Sequence, residues 1–268
     1  MNRITKITSV VAALALVGGA LAPRAALAVP DPNSVIVIQR VFNDCPTSVL
    51  TITDHYPSSL NITDSNLSCG GFANLHVWRY STDGVNEELF PNASIFHFKC
   101  RMWTTGTADG EAGLQIAPWW SEVDGRLNCR TTDGEVACFG GRLPFYSFTA
   151  NYGLHYVKGT IIDLEMTYNC HSLSPGDPGT IEYTVTYNGV SYTSGPLPFD
   201  MGNPNEDPPY GLWGILNQAK VGGHVQCFLQ GGNPNASFTA EFTKFEFDQQ
   251  QPIAVEPTSW GHVKALYR

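Results

Sequence analysis

Apolar and polar positions alternate along the chain in short runs, and turn-forming dipeptides separate the runs. Asp-Gly recurs at 83–84, 109–110, 124–125 and 133–134, and Asn-Gly stands at 188–189. Such pairs supply the positive φ angles of two-residue hairpins, so the pattern predicts a meander of antiparallel strands. In "LNCRTTDGEVACF" a turn at Asp133-Gly134 sets Cys129 opposite Cys138. Leu127, Cys129, Val136 and Cys138 then share one face, and Arg126, Asn128, Arg130 and Glu135 the other. The two cysteines are either a cross-strand disulfide, Cys129–Cys138, or two small core thiols.

In "IEYTVTYNGVSYTSG" a turn at Asn188-Gly189 puts Tyr183, Val185, Tyr187, Val190 and Tyr192 on one side, with Thr184, Thr186, Ser191 and Thr193 on the other. This reads as a half-buried hairpin with a hydroxyl-rich outer face. The run "SFTAEFTKFEFD" alternates through Phe238, Ala240 and Phe242, then changes parity to Phe245 and Phe247, which predicts a bulge near Thr243-Lys244. Helical periodicity is confined to "ILNQAK" (215–220), a turn or two at most. Many short strands without βαβ alternation predict an all-β fold, an antiparallel two-sheet jelly-roll sandwich.

The first residues change the picture of where the chain works. A basic start (Arg3, Lys6), an apolar run to about Ala22 and Ala26-Leu27-Ala28 read as a secretory signal peptide over 1–28, of bacterial type. The sandwich then spans 29–248, and 249–268 reads as a linker and a short C-terminal tail. No later run approaches the roughly 20 apolar residues of a membrane span, so no integral span is expected. Export to the periplasm, cell surface or medium permits disulfides, and seven cysteines leave at least one unpaired.

Without 1–28 the chain keeps 12 basic against 24 acidic residues, a net charge of −12. That surface repels phosphate backbones, so nucleic acid is not an expected partner; neutral sugars and divalent cations remain. In "IAPWWSEVDGR" the adjacent Trp119 and Trp120 point to opposite faces of a strand, one into the core and one free to stack on a sugar ring. Glu111, Arg142 and Tyr146 are polar or amphipathic candidates beside them. The loop "FDMGNPNEDPPYG" gathers Asp200, Asn205 and Asp207, hard oxygen ligands of the kind Ca²⁺ takes, although turn chemistry alone explains them. No cofactor other than possible calcium is expected. The seven histidines are scattered and mark no base.

In length and strand rhythm, residues 30–250 resemble the concanavalin A-like lectin and glucanase superfamily, which includes laminin G-like domains. Phrases such as "DGEAGLQIAPWW" and "EDPPYGLWGIL" are also similar to exported bacterial sandwiches to which no activity attaches. The resemblance implies a jelly roll that binds or cleaves carbohydrate. Laminarinase-type members carry Glu-x-Asp-x-Glu on a strand. Laid on "IIDLE", Asp163 and Glu165 match, but Ile161 stands where the nucleophile should. A retaining mechanism needs two carboxyl groups about 5–5.5 Å apart with opposed protonation, which that strand lacks. The R-x-E and Gln-x-His strands of lyases sharing this fold are absent as such from "GLQIAPW" and "HVQCF". Three functions follow: a module binding a polysaccharide or cell-surface glycan through Trp119 or Trp120; a hydrolase or lyase using Asp163 and Glu165; or a structural envelope or adhesion protein.

Overall fold

The computed structural model describes residues 31–117, 125–140, 143–199 and 213–250. Strands are numbered along the chain and form two seven-stranded sheets. Sheet A runs in the order β1 (Ser34–Asn43), β4 (Ala73–Ser81), β13 (Lys220–Phe228), β6 (Gly110–Ala117), β7 (Arg126–Arg130), β8 (Val136–Phe139) and β9 (Tyr146–Ser147). Sheet B runs β12 (Val190–Pro198), β11 (Thr180–Tyr187), β10 (Ile162–Asn169), β5 (Ile95–Thr105), β14 (Ser237–Gln250), β3 (Ser59–Ser65) and β2 (Val49–His55). Neighbours pair antiparallel throughout, and the chain passes repeatedly from one sheet to the other. This is the jelly-roll sandwich the alternation predicts.

Alternation has its usual cause: successive side chains leave a strand on opposite sides, so every second residue of both sheets meets in one shared core. Trp78 and Tyr80 of β4 meet Phe242 and Phe98 of sheet B edge-on, with ring centroids 5.4 and 6.3 Å apart and planes at 66° and 86°. Phe247 joins Tyr80 at 5.1 Å and Phe90 at 5.4 Å. The bulge foreseen in β14 lies between Thr243 and Glu246, with Lys244 at φ 50°, and it returns Phe245 and Phe247 to the core side. The Asn188-Gly189 turn takes positive φ at both residues and pairs Tyr187 with Val190, as expected, although Val190 itself is exposed.

Three expectations need correction. The β7–β8 hairpin pairs Cys129 with Val136 and Leu127 with Cys138, a slip of two residues from the register read off Asp133-Gly134. A longer loop forms because Asp133 accepts the Glu135 N–H at 3.1 Å and Arg130 forks onto the Asp133 carboxylate, so the chain reverses over 131–134 rather than at two residues. Cys129 and Cys138 are therefore diagonal neighbours and buried thiols, not a disulfide. The disulfide is Cys45–Cys69, tying the β1–β2 connection to the segment before β4. Third, "ILNQAK" is no helix. It makes a turn at Asn217-Gln218 before Ala219 bridges Phe90 and β13 begins. The described helix is α1 (Phe148–Tyr152), capped by Ser147 Oγ, which accepts the Ala150 N–H, and closed by Gly153 at φ 66°. Among the described residues no helix is long and apolar enough to cross a membrane.

Under native conditions a thiol reagent should find no reactive group on this chain, and five after denaturation, because all five free cysteines are buried. Replacing Cys45 and Cys69 by Ser should cost about 3 kcal/mol, from the freed loop of the unfolded chain, and lower Tm by several degrees in a thermal melt.

Candidate functional site

The carboxylate strand comes first. Asp163 and Glu165 leave β10 on the side away from the core, between inward Ile162, Leu164 and Met166. Arg101 forks onto Asp163, Nε to Oδ1 at 2.7 Å and Nη2 to Oδ2 at 3.0 Å. His97 Nε2 lies 2.9 Å from Glu165 Oε1, and this hydrogen bond holds Glu165 below the usual carboxylate range and His97 above the usual imidazole range. With Lys99–Glu246 at 3.1 Å, these pairs stitch β10, β5 and β14 together. A glycosidase acid must be a carboxyl kept protonated. Glu165 is pushed the other way, and Asp163 is spent on Arg101. This geometry gives no support to an acid/base role for the pair, which was one alternative among three.

A different cluster lies on the outer side of sheet A. The ladder aligns three rows of residues across β4, β13, β6 and β7. They read Arg79, Gly222, Gln115, Arg126; then Val77, His224, Gly113, Asn128; then Leu75, Gln226, Glu111, Arg130. Two rows carry a glycine gap, and across each gap side chains two strands apart join. Arg79 Nη1 donates to Gln115 Oε1 at 3.3 Å over Gly222, and His224 Nε2 meets Asn128 Oδ1 at 2.9 Å over Gly113. The glycines are required by close approach. A Cβ would fall 1.9 Å from the Leu127 carbonyl oxygen at Gly113 and 2.0 Å from that of Trp78 at Gly222. Between rows, Arg126 Nη1 donates to Gln226 Oε1 at 3.0 Å and lies 3.7 Å from Glu111. Arg130 approaches Glu111 at 4.0 Å, and Glu87 takes Lys220 at 2.6 Å and Arg79 at 3.7 Å.

These side chains are recessed: Arg79, Gln115 and His224 are fully buried, and Glu111, Asn128, Arg126 and Gln226 are at most 7% exposed. Burial shapes their charge. It pushes the His224 ring well below the usual imidazole range, helped by Arg126 and Arg79 and opposed by the Leu114 backbone, so the ring is neutral near pH 7. Nε2 faces the Asn128 oxygen and carries the proton by that assignment, with the Leu114 backbone as the ring's other polar neighbour. Burial also lifts the Glu111 carboxyl, against the pull of Arg126 and Arg130. One row beyond Gln226, Phe228 packs at a tilt against exposed Phe72, ring centroids 5.2 Å apart. This side of sheet A thus combines guanidinium, amide and aromatic groups, most of them buried and bonded to one another.

Of the residues singled out from sequence, Glu111 belongs to this face. Tyr146 does not. It lies across from Cys138 on the core side, its ring 5.1 Å from Phe148. Trp119, Trp120, Arg142, Asp200, Asn205 and Asp207 lie outside the described residues, as do the leader and the tail. Arg79, Gln115, His224 and Gln226 were given no role because they stand on three strands, β4, β6 and β13, that are far apart in the sequence. Asn128, Arg126 and Arg130 were placed on the right face by alternation but given no role.

A second polar cluster sits inside the sandwich. Asp64, His76 and Cys227 are buried with donor atoms within 4.8 Å of one another, a set with the makings of a metal site. The proton inventory disfavours it. Arg40 N–H donates to His76 Nδ1 at 3.2 Å, so the ring proton sits on Nε2, which faces Asp64 Oδ2 at 3.2 Å. A metal would have to displace that proton from a ring whose other nitrogen is already an acceptor. Asn74 Nδ2 also donates to Asp64 Oδ2 at 2.8 Å, while Oδ1, without a hydrogen bond, lies 4.0 Å from Arg40. Burial raises the Asp64 carboxyl, but the bonds from His76, Asn74 and Ser48 outweigh it and hold it below the usual range. The trio is a clamp from β3 to sheet A.

No protein-family model matches the sequence, and no curated protein does. Among solved structures, the chain is similar to the alginate lyase from Klebsiella pneumoniae, at 12% identity and TM-score 0.48 over 81% of this chain and 96% of that one. It is also similar to the lectin UEA-II complexed with galactose, at 10% and 0.46 over 82% and 99%. A polysaccharide lyase family 7 alginate lyase follows at 12% and 0.43 over 75% and 83%. These are concanavalin A-like jelly-roll sandwiches. The likeness is one of architecture and carries no chemistry.

Gly113→Ala should destabilise the fold by about 2–3 kcal/mol, since the added methyl meets a backbone carbonyl that cannot move without shifting β7. Gly176→Ala, with open space around it, should stay within about 0.5 kcal/mol; denaturant melts compare the two.

Proposed function

We propose that this chain binds a carboxylate-bearing polysaccharide on the outer face of sheet A. The observation that carries the reading is the recessed lattice of Arg79, Gln115, His224, Asn128, Arg126, Gln226 and Glu111, held flat by two glycine gaps. Strands about 4.8 Å apart present successive polar groups at a spacing close to the length of a sugar ring. Guanidinium groups recognise planar carboxylates by paired hydrogen bonds, and amides both donate to and accept from hydroxyls. The recess lowers the local dielectric, which strengthens each of these contacts. Phe72 and Phe228 extend the face with a ring on which a sugar can stack. The Cys45–Cys69 disulfide is compatible with work outside the cytoplasm.

Cleavage is the second reading, and His224 favours it. A neutral imidazole oriented by Asn128 is suited to take the proton from the carbon next to a uronate carboxylate. The electron pair would then form the ring double bond, and the glycosidic oxygen would leave with a proton from Glu111, whose carboxyl burial raises.

Affinity electrophoresis in gels containing alginate or polygalacturonate tests both readings. Retardation by a uronate polymer and not by neutral laminarin is expected. Arg126→Gln should weaken it about tenfold, or about 1.4 kcal/mol. Ultraviolet absorbance from a new double bond, lost in His224→Gln, would establish cleavage. Equal mobility in all three gels would contradict both.

A further inference from the structure

The opposite side of the sandwich carries a site of different chemistry. β5 is the central strand of sheet B, and its outward residues are His97, Lys99, Arg101 and Trp103. Three of the four are basic groups committed to carboxylates: His97 to Glu165, Lys99 to Glu246 and Arg101 to Asp163. Trp103 is the exception. Half-buried on a polar face, it takes part in no hydrogen bond and no ring contact among the described residues, whereas core Trp78 packs edge-on against three rings.

The ladder fixes what surrounds it. Glu241 of β14 stands directly opposite Trp103, and Asn61 of β3 and Thr53 of β2 continue the same row. Thr105 and Thr239 form the next row on one side; Arg101 and Thr243 form the row on the other. Exposed Ile161 lies one position beyond the Ile162–Met102 pair, on the indole's far side. Glu241 enters no ion pair among the described residues. The Asn61 oxygen accepts from Thr63 Oγ1 at 3.0 Å, which leaves its amide hydrogens for another acceptor.

A lone indole facing water costs hydrophobic free energy, and the sheet could have closed with threonine there, as at its neighbours. An indole ringed by a carboxylate, an amide and hydroxyls matches a pyranose. One ring face of the sugar is all C–H and stacks on the aromatic, while equatorial hydroxyls reach polar atoms at the rim. Charge narrows the class. The cations of β5 are neutralised in place and Glu241 remains, so an acidic polymer is repelled and an uncharged one is not. Sugars with equatorial hydroxyls present the flattest face. We propose that Trp103, with Glu241 and Asn61, forms a binding site for a neutral β-glucan on sheet B, separate from the sheet A face and independent of the reading given for it.

The test uses the full chain with indole nitrogen-15 labelling, titrated with cellohexaose and laminarihexaose. Saturable movement of one indole N–H signal is expected with at least one of them, that signal being absent from Trp103→Ala. Trp103→Ala should abolish glucan binding in calorimetry, and Glu241→Ala should weaken it about tenfold. Arg126→Gln should leave it unchanged, which separates this site from the one on sheet A. If Trp103→Ala fails to fold, Trp103→Phe serves, with binding weakened several-fold and an unchanged melt. Movement of a different indole, full binding by Trp103→Ala or Trp103→Phe, or no movement with either hexasaccharide would overturn the proposal.

Discussion

One constraint organises this molecule: in a paired sheet, alternate residues must leave on opposite sides, and the ladder holds neighbouring strands in register. On sheet A that rule has two consequences at once. Trp78, Leu114, Val225 and Leu127 go inward to the shared core, and Arg79, Gln115, Gln226, Asn128 and Arg126 are thrust outward in rows. Removing a side chain at Gly222 and Gly113 lets the remaining ones reach across a strand. A face so built cannot be left dry and unpaired, because each buried polar group without a partner costs about 1–3 kcal/mol.

The two outer faces answer the same geometric rule with different chemistry. On sheet B the charges are spent in place: Arg101 on Asp163, His97 on Glu165 and Lys99 on Glu246, pairs half-open to water whose energetic worth is small. They fix strand order and leave Trp103 as the unspent group. On sheet A two guanidinium groups, Arg126 and Arg130, approach one carboxyl, Glu111, beside several amides, and Arg126 and Glu111 are buried too deeply for water to screen them. Desolvation there keeps His224 neutral and lifts Glu111, the direction that prepares a site for proton movement rather than for stability.

The sheets were legible in the sequence because the signals were local. Asn188-Gly189 named its turn, the parity change at Thr243-Lys244 named its bulge, and the Leu127–Cys138 alternation named its faces. That last reading survived a wrong turn, since a slip of two residues moves every partner but no side chain to the other side. What failed was whatever depended on the slip, the Cys129–Cys138 bond above all. The candidate site was hidden for the converse reason. Arg79, Gln115, His224 and Asn128 are scattered over 145 positions and meet only through the β4–β13–β6–β7 order, which no local pattern encodes. Asp163 and Glu165 drew notice by standing two apart on one strand in part of a known motif, yet their neighbours Arg101 and His97, about 65 residues earlier, decide their role.

The claim at the centre is that the sheet A lattice is a ligand face with a neutral histidine at its middle. Nitrogen-15 NMR of the histidine rings, with His224 assigned through His224→Gln, tests it directly. The account predicts a neutral His224 ring at pH 7, protonated on Nε2, whose Nδ1 signal moves when a uronate oligosaccharide is added. A charged imidazolium at that pH, or a neutral ring indifferent to the saccharide, would contradict it.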